Sequence, residues 1–99
     1  MSEELGFAPP PFDAAEALPR MKRELRALGL AEREGRFERR GLLIAQATLD
    51  EGQVHAAMVR RPSRSSPEWE RRTLRNAAEL RDFVASLKKK LAAWGDRDE

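Results

Sequence analysis

An α+β two-layer sandwich, ordered helix, three-stranded antiparallel meander, helix, is the fold class this sequence predicts. Three observations carry it: an apolar stripe with helical period over residues 19–28, a change to period-two alternation over residues 36–59, and a longer helical stripe over residues 77–94. Ninety-nine residues make a single domain, and a chain of this size buries only roughly 60–65% of the surface it exposes when unfolded. Its core is therefore modest, and a partner surface would add stability. The organisation expected is a Pro-rich N-terminal arm over 1–12, one α+β domain over 13–95 and a charged tail over 96–99.

Each element has its own grammar. "DAAE" at 13–16 has the form of an N-terminal cap, but Pro19 would fall on the second turn of a helix begun there. Pro19 is accordingly predicted to open the first helix at about 19–28. In that helix Met21, Leu25 and Leu28 share a face, and Gly29 followed by Leu30 supplies a left-handed stop. "RFERRGLLIAQATLD" and "QVHAAMVRR" are predicted as paired strands. A turn at Glu51-Gly52 sets Leu49 opposite Val54, Ala47 opposite Ala56 and Ala45 opposite Met58. A third strand is expected at about 68–74, and residues 30–38 can add a short extra strand turning at Glu34-Gly35. Asn76 and Glu79 form a cap pair for the last helix, whose Leu80, Phe83, Val84, Leu87, Leu91 and Trp94 lie within about 100° on a helical wheel. Gly95 ends it.

Alternation leaves Ile44, Gln46, Thr48, His55, Ala57 and Val59 on the reverse side of the sheet. That surface carries too little charge for a solvated face, so it is the expected site of assembly with a protein partner or a second copy. The other candidate surface is basic. Residues 53–94 hold ten Lys/Arg against four Asp/Glu, whereas the remainder holds nine against thirteen. Arg60, Arg61, Arg64, Arg71 and Arg72 cluster in sequence beside Trp69. Forked guanidinium donors with an indole suit nucleic acid, which is the alternative partner. "RRPSRSSP" between these arginines reads as a mobile loop, because its prolines cannot donate ladder bonds and its serines form turns.

Other chemistries lack their residues. The chain has no Cys and one His, which leaves no thiolate site, no disulfide and no paired metal ligands, so neither metal nor cofactor is expected. No Gly-rich loop precedes a helix, the carboxylates are scattered among arginines, and Ser63, Ser65 and Ser66 stand in loop context. The residues point away from catalysis. "MSEELGFAPPPF" has no basic stretch followed by an apolar one, and no later run approaches membrane-spanning length. A cytoplasmic location without a membrane partner is expected, and the excess of Arg and Ala has the look of bacterial high-GC coding. "FAPPPF" could strap its two phenylalanines onto the domain or offer them to a partner.

Two local resemblances bear on nucleic acid. "LRALGLAEREGRFERRGLL", residues 25–43, resembles the passage from recognition helix to wing in winged-helix proteins, without the two preceding helices. The element order is similar to that of double-stranded RNA-binding domains and small nucleoid-associated dimers. At the start of the last helix, where the RNA-binding domains carry lysines, this chain reads "NAAELRDF".

Overall fold

Three dipeptides ending in glycine punctuate the middle of the chain. In the computed structural model, which describes residues 12–95, each is a two-residue hairpin turn with positive φ at both positions: Glu34-Gly35 (54° and 82°), Arg40-Gly41 (56° and 80°) and Glu51-Gly52 (52° and 74°). That pairing matches the right-handed twist of the flanking strands. Gly35 is doubly constrained, since a Cβ there would also lie 2.9 Å from the carbonyl oxygen of Ala47. The strands so connected are β1 (Ala31–Arg33), β2 (Arg36–Arg39), β3 (Leu42–Asp50), β4 (Gln53–Val59) and β5 (Trp69–Leu74), side by side in chain order in one antiparallel sheet.

The class is the predicted α+β sandwich, with five strands where three were expected. The extra Glu34-Gly35 hairpin forms, and the run expected as one strand over 36–50 is folded back at Arg40-Gly41. The register set by Glu51-Gly52 is the expected one, with Ala45, Ala47 and Leu49 opposite Met58, Ala56 and Val54. Between β2 and β3 the register slips: Phe37 faces Ala45 while Glu38 faces Leu43, which leaves Ile44 as an extra residue without a partner. Such a bulge breaks strict alternation. Ile44 and Ala45, though adjacent, both belong to the hydrophobic core.

Helix α1 (Ala14–Ala27) begins five residues before the predicted start. Asp13 caps it, its carboxylate accepting the Glu16 N–H at 3.2 Å, and Pro19 sits inside the helix. The early start prevails because Ala14 and Leu18 extend the buried stripe of Met21 and Leu25. The proline costs little here, because the carbonyl it fails to serve belongs to Ala15, which is exposed to water. Gly29, at φ 94°, and buried Leu30 close the helix as expected. Helix α2 (Ala77–Gly95) starts from Asn76, whose side-chain oxygen accepts the Glu79 N–H at 2.8 Å while Glu79 reaches back to the Arg75 N–H at 2.7 Å.

Both helices cover one face of the sheet. Small Ala45, Ala47 and Ala56 let them approach, and Met21, Leu25, Phe37, Val54, Met58, Phe83 and Leu87 fill the interlayer with no exposed surface. Burying each large apolar side chain contributes roughly 1.5–3 kcal/mol. Residues 1–11 and 96–99 lie outside the described residues, and with them most of the arm, the charged tail and the packing of "FAPPPF".

Candidate functional site

The face turned away from the helices has a chemistry set by register. Arg36 pairs with Gln46, Gln46 with Ala57, and Ala57 with Arg71; Arg33 lies opposite Arg36 on the outermost strand. Directly opposed residues point to the same side of a sheet. A single row therefore crosses all five strands as Arg, Arg, Gln, Ala, Arg. Three inter-strand spacings of about 4.8 Å put the Cα atoms of Arg36 and Arg71 about 14 Å apart. The next row is Thr48, His55 and Thr73. Gln46, Thr48, His55, Ala57, Arg71 and Thr73 line a depression of about 500 Å³.

Its lining mixes polar side chains with Ala56 and Ala57, and Arg72 lines it as well. Gln46 offers an amide, Thr48 and Thr73 offer hydroxyls, and His55 Nδ1 lies 3.3 Å from Thr73 Oγ1. A hydrogen bond at that distance fixes the imidazole against β5 and leaves its other nitrogen available. The Arg71 guanidinium has no carboxylate partner among the described residues, and neither has that of Arg36. Both side chains are exposed. Glu38 and Asp50 fall on the same side by alternation, toward the two ends of the strands, so the cations stand in the middle of the face.

Of the six residues expected on the reverse face, Thr48 is exposed and Gln46 and His55 are half-buried. Ile44, Ala57 and Val59 are 1%, 3% and 0% exposed. The bulge accounts for Ile44, and Val59 joins the core at the end of β4 beside half-buried Trp69. Among the described residues the only exposed large hydrophobic side chain is Leu49. On this face water meets no exposed large apolar side chain, but arginines in the middle and carboxylates toward the ends.

The arginine cluster is divided. Both Arg71 and Arg72 contribute to the lining of the depression, but they alternate along β5, and the Arg72 guanidinium stands 5.9 Å over the Phe83 ring on the helix side. Arg60 lies 3.9 Å from both Glu68 and Glu70, a distance at which two exposed groups attract only weakly. Arg61 and Arg64 are exposed in the loop between β4 and β5. That loop has an internal brace, because Ser63 Oγ accepts the N–H groups of Ser65 and Ser66 at 3.2 and 3.1 Å. Its base is closed by the Arg60 N–H donating to Glu68 at 2.9 Å. Lys88 and Lys89 are exposed on α2, whereas Lys90 pairs with Glu70 at 3.2 Å.

Sequence reasoning did not assign Arg33, Arg36 and Thr73 to the open face. Part of the signal was present in Arg40-Gly41: a second two-residue turn six residues after Glu34-Gly35 makes a short hairpin, which alone would set Arg36 opposite Ala45, and the bulge then moves it opposite Gln46. Among the described residues there is no group of three or more His, Asp or Glu side chains that could hold a metal ion, and no helix is long and apolar enough to cross a membrane. No protein-family model, curated protein or solved structure matches the chain.

Proposed function

We propose that this protein is a non-catalytic binding module whose working surface is the open sheet face and whose ligand is a polyanion. One observation carries the reading: Arg71 stands beside a depression lined by amide, hydroxyl and imidazole groups with no carboxylate partner among the described residues, although this chain has carboxylates in nearly equal number to its cations. An exposed guanidinium without a carboxylate keeps its forked donors for an anion from outside. The neighbouring amide, hydroxyls and imidazole can complete the coordination of an oxyanion.

Assembly with a protein through this face, by contrast, draws on apolar residues, and Ile44, Ala57 and Val59 are already buried within the monomer. A symmetric homodimer formed face to face would also set the arginine rows against one another, and like charges in contact oppose association. The absence of cysteine and the Arg-rich composition suit a cytoplasmic bacterial protein.

Heparin chromatography tests the reading. The protein is expected to be retained and released by moderate salt, and Arg71→Glu should abolish retention while leaving thermal unfolding within about 0.5 kcal/mol of the parent. Flow-through of the parent at low salt would defeat the polyanion reading. A concentration-dependent dimer in light scattering, dispersed by Thr48→Lys, would support a protein interface instead.

A further inference from the structure

We infer that the polyanion is a single-stranded nucleic acid lying across the strands, with its phosphates at Arg36 and Arg71 and its bases over the polar floor between them; this rests on reading the open face as an anion-binding surface. Three features of that face select a single strand.

The first is shape. Proteins that read duplexes send a helix or a two-stranded ribbon into a groove. Here Arg71 borders a depression of about 500 Å³ and Arg36 lies in the same cross-strand row next to Gln46 of its lining, while both long helices lie on the other side of the sheet. A convex duplex would meet the rims and leave Gln46, Thr48, His55 and Thr73 uncovered. An unpaired strand can bend into the hollow.

The second is the hydrogen-bonding inventory. The floor offers an amide with donors and acceptor, two hydroxyls and a ring nitrogen. These groups complement the Watson–Crick edges of bases, which are available only when the strand is unpaired. Heparin or a phosphorylated lipid could engage the donors of this floor, but only a base, with donors and acceptors of its own, would use the floor's acceptors as well.

The third is direction. Arginines without a carboxylate partner among the described residues are strung along one row from β1 to β5, with about 14 Å between the Cα atoms of Arg36 and Arg71. Glu38 and Asp50 lie to either side of that row along the strands. A polyanion following the strand direction would run onto a carboxylate at each end, so the favoured track is perpendicular. Past Arg71 on the same side of β5 comes Trp69, which packs in part against the core and leaves the rest of its surface open to solvent. Its indole is placed to stack on a base next to the phosphate that Arg71 holds.

Fluorescence anisotropy with short labelled oligonucleotides tests the inference on the full chain, comparing a single strand with the duplex of the same sequence. The single strand is expected to bind at least about ten-fold more tightly. Arg36→Ala and Arg71→Ala should each weaken it and make the logarithmic salt dependence shallower by about 0.7. Arg26→Ala, on the helix side and paired with Glu32, should not. In a Trp94→Phe background the remaining tryptophan emission, from Trp69, should be quenched as the strand binds.

Equal or tighter duplex binding would overturn the single-strand assignment and leave the polyanion reading standing. Polyglutamate bound through Arg71 with oligonucleotides ignored would overturn the nucleic-acid assignment in favour of an acidic protein. Failure to bind oligonucleotide, polyglutamate and heparin alike would remove the anion-binding face itself.

Discussion

The two faces of this sheet use the same residue types to opposite ends. On the helix side charge is matched within the fold: Glu32 holds Arg26 at 2.9 Å and Lys22 at 3.4 Å, Glu70 holds Lys90 at 3.2 Å, Arg72 rests over Phe83, and Arg39 donates to the Leu91 carbonyl at 3.2 Å. On the open side Arg36 and Arg71 project without a carboxylate partner among the described residues, with Gln46 and Ala57 between them in the row and Thr48, His55 and Thr73 in the next. An arginine in sequence therefore says little about its role. Arg71 and Arg72 are adjacent, yet pleating sends one toward the open face and the other onto an aromatic ring.

The edges of the sheet bear on assembly as well. β5 is a free edge of six residues, the kind of strand that invites a second sheet to pair. An antiparallel copy centred on Arg71 or Arg72 would set that arginine against itself. The same charges that mark the open face thus discourage edge-to-edge association.

The sharpest way to break the comparison is to place one carboxylate on each side. Leu87→Asp sits at zero exposure in the middle of the α2 stripe, and its charge would meet only apolar neighbours. It should cost more than about 4 kcal/mol and leave little folded protein. Thr48→Glu, exposed on the open face, should change stability by less than about 1 kcal/mol while weakening polyanion binding. Thermal unfolding followed by circular dichroism compares the two, and equal losses would mean that the open face is packed in solution.

The helix side was the more legible of the two, and for a physical reason. Its pattern is written in apolar residues, whose periodicity survives small errors of boundary: Leu80, Phe83, Leu87 and Leu91 are the buried residues of α2, and the Asn76 cap is in place. The Glu51-Gly52 register was legible because one turn fixes every pair in the hairpin. What escaped was decided by competition between local signals. Pro19 argued for a late helix start, and the Asp13 cap with two more buried side chains outweighed it. Arg40-Gly41 lies inside a run that also reads as continuous strand, and the bulge at Ile44 cannot be found by counting alternation. Those two features determine which arginines share the open face, so the candidate site needed the coordinates where the core did not.

A smaller effect is expected at the start of α2. Removing the cap oxygen with Asn76→Ala frees the Glu79 N–H that it satisfies at 2.8 Å and should cost about 1 kcal/mol. Because Asn76 precedes a helix on the covered side, oligonucleotide affinity should be unchanged at temperatures where the variant is folded. Affinity falling in step with stability would show that the two faces are coupled. No loss of stability in urea titration would mean that water replaces the cap at no cost.

The smallest effect tests the charge matching of the helix side directly. The Glu32 carboxyl lies below its ordinary value of 4.5, chiefly because it accepts the Gly35 N–H at 3.1 Å, with help from the Lys22 charge and from hydrogen bonds to Lys22 and Arg26, and against an opposing effect of burial. A carboxyl whose value is lower folded than unfolded binds its proton more readily in the unfolded chain. Its contribution is therefore complete above the unfolded value near 4.5 and is lost as the pH falls through the lower folded value. Glu32→Gln should lower stability by less than about 1 kcal/mol at neutral pH, since the ion pairs are partly exposed, and should bring the variant and parent together as acid protonates the parent's carboxylate. Urea midpoints measured down through the carboxylate range check this. A gap between the two proteins that stays constant into acid would assign the stabilisation to the shape of the Glu32 side chain bracing the Glu34-Gly35 turn, and not to its charge.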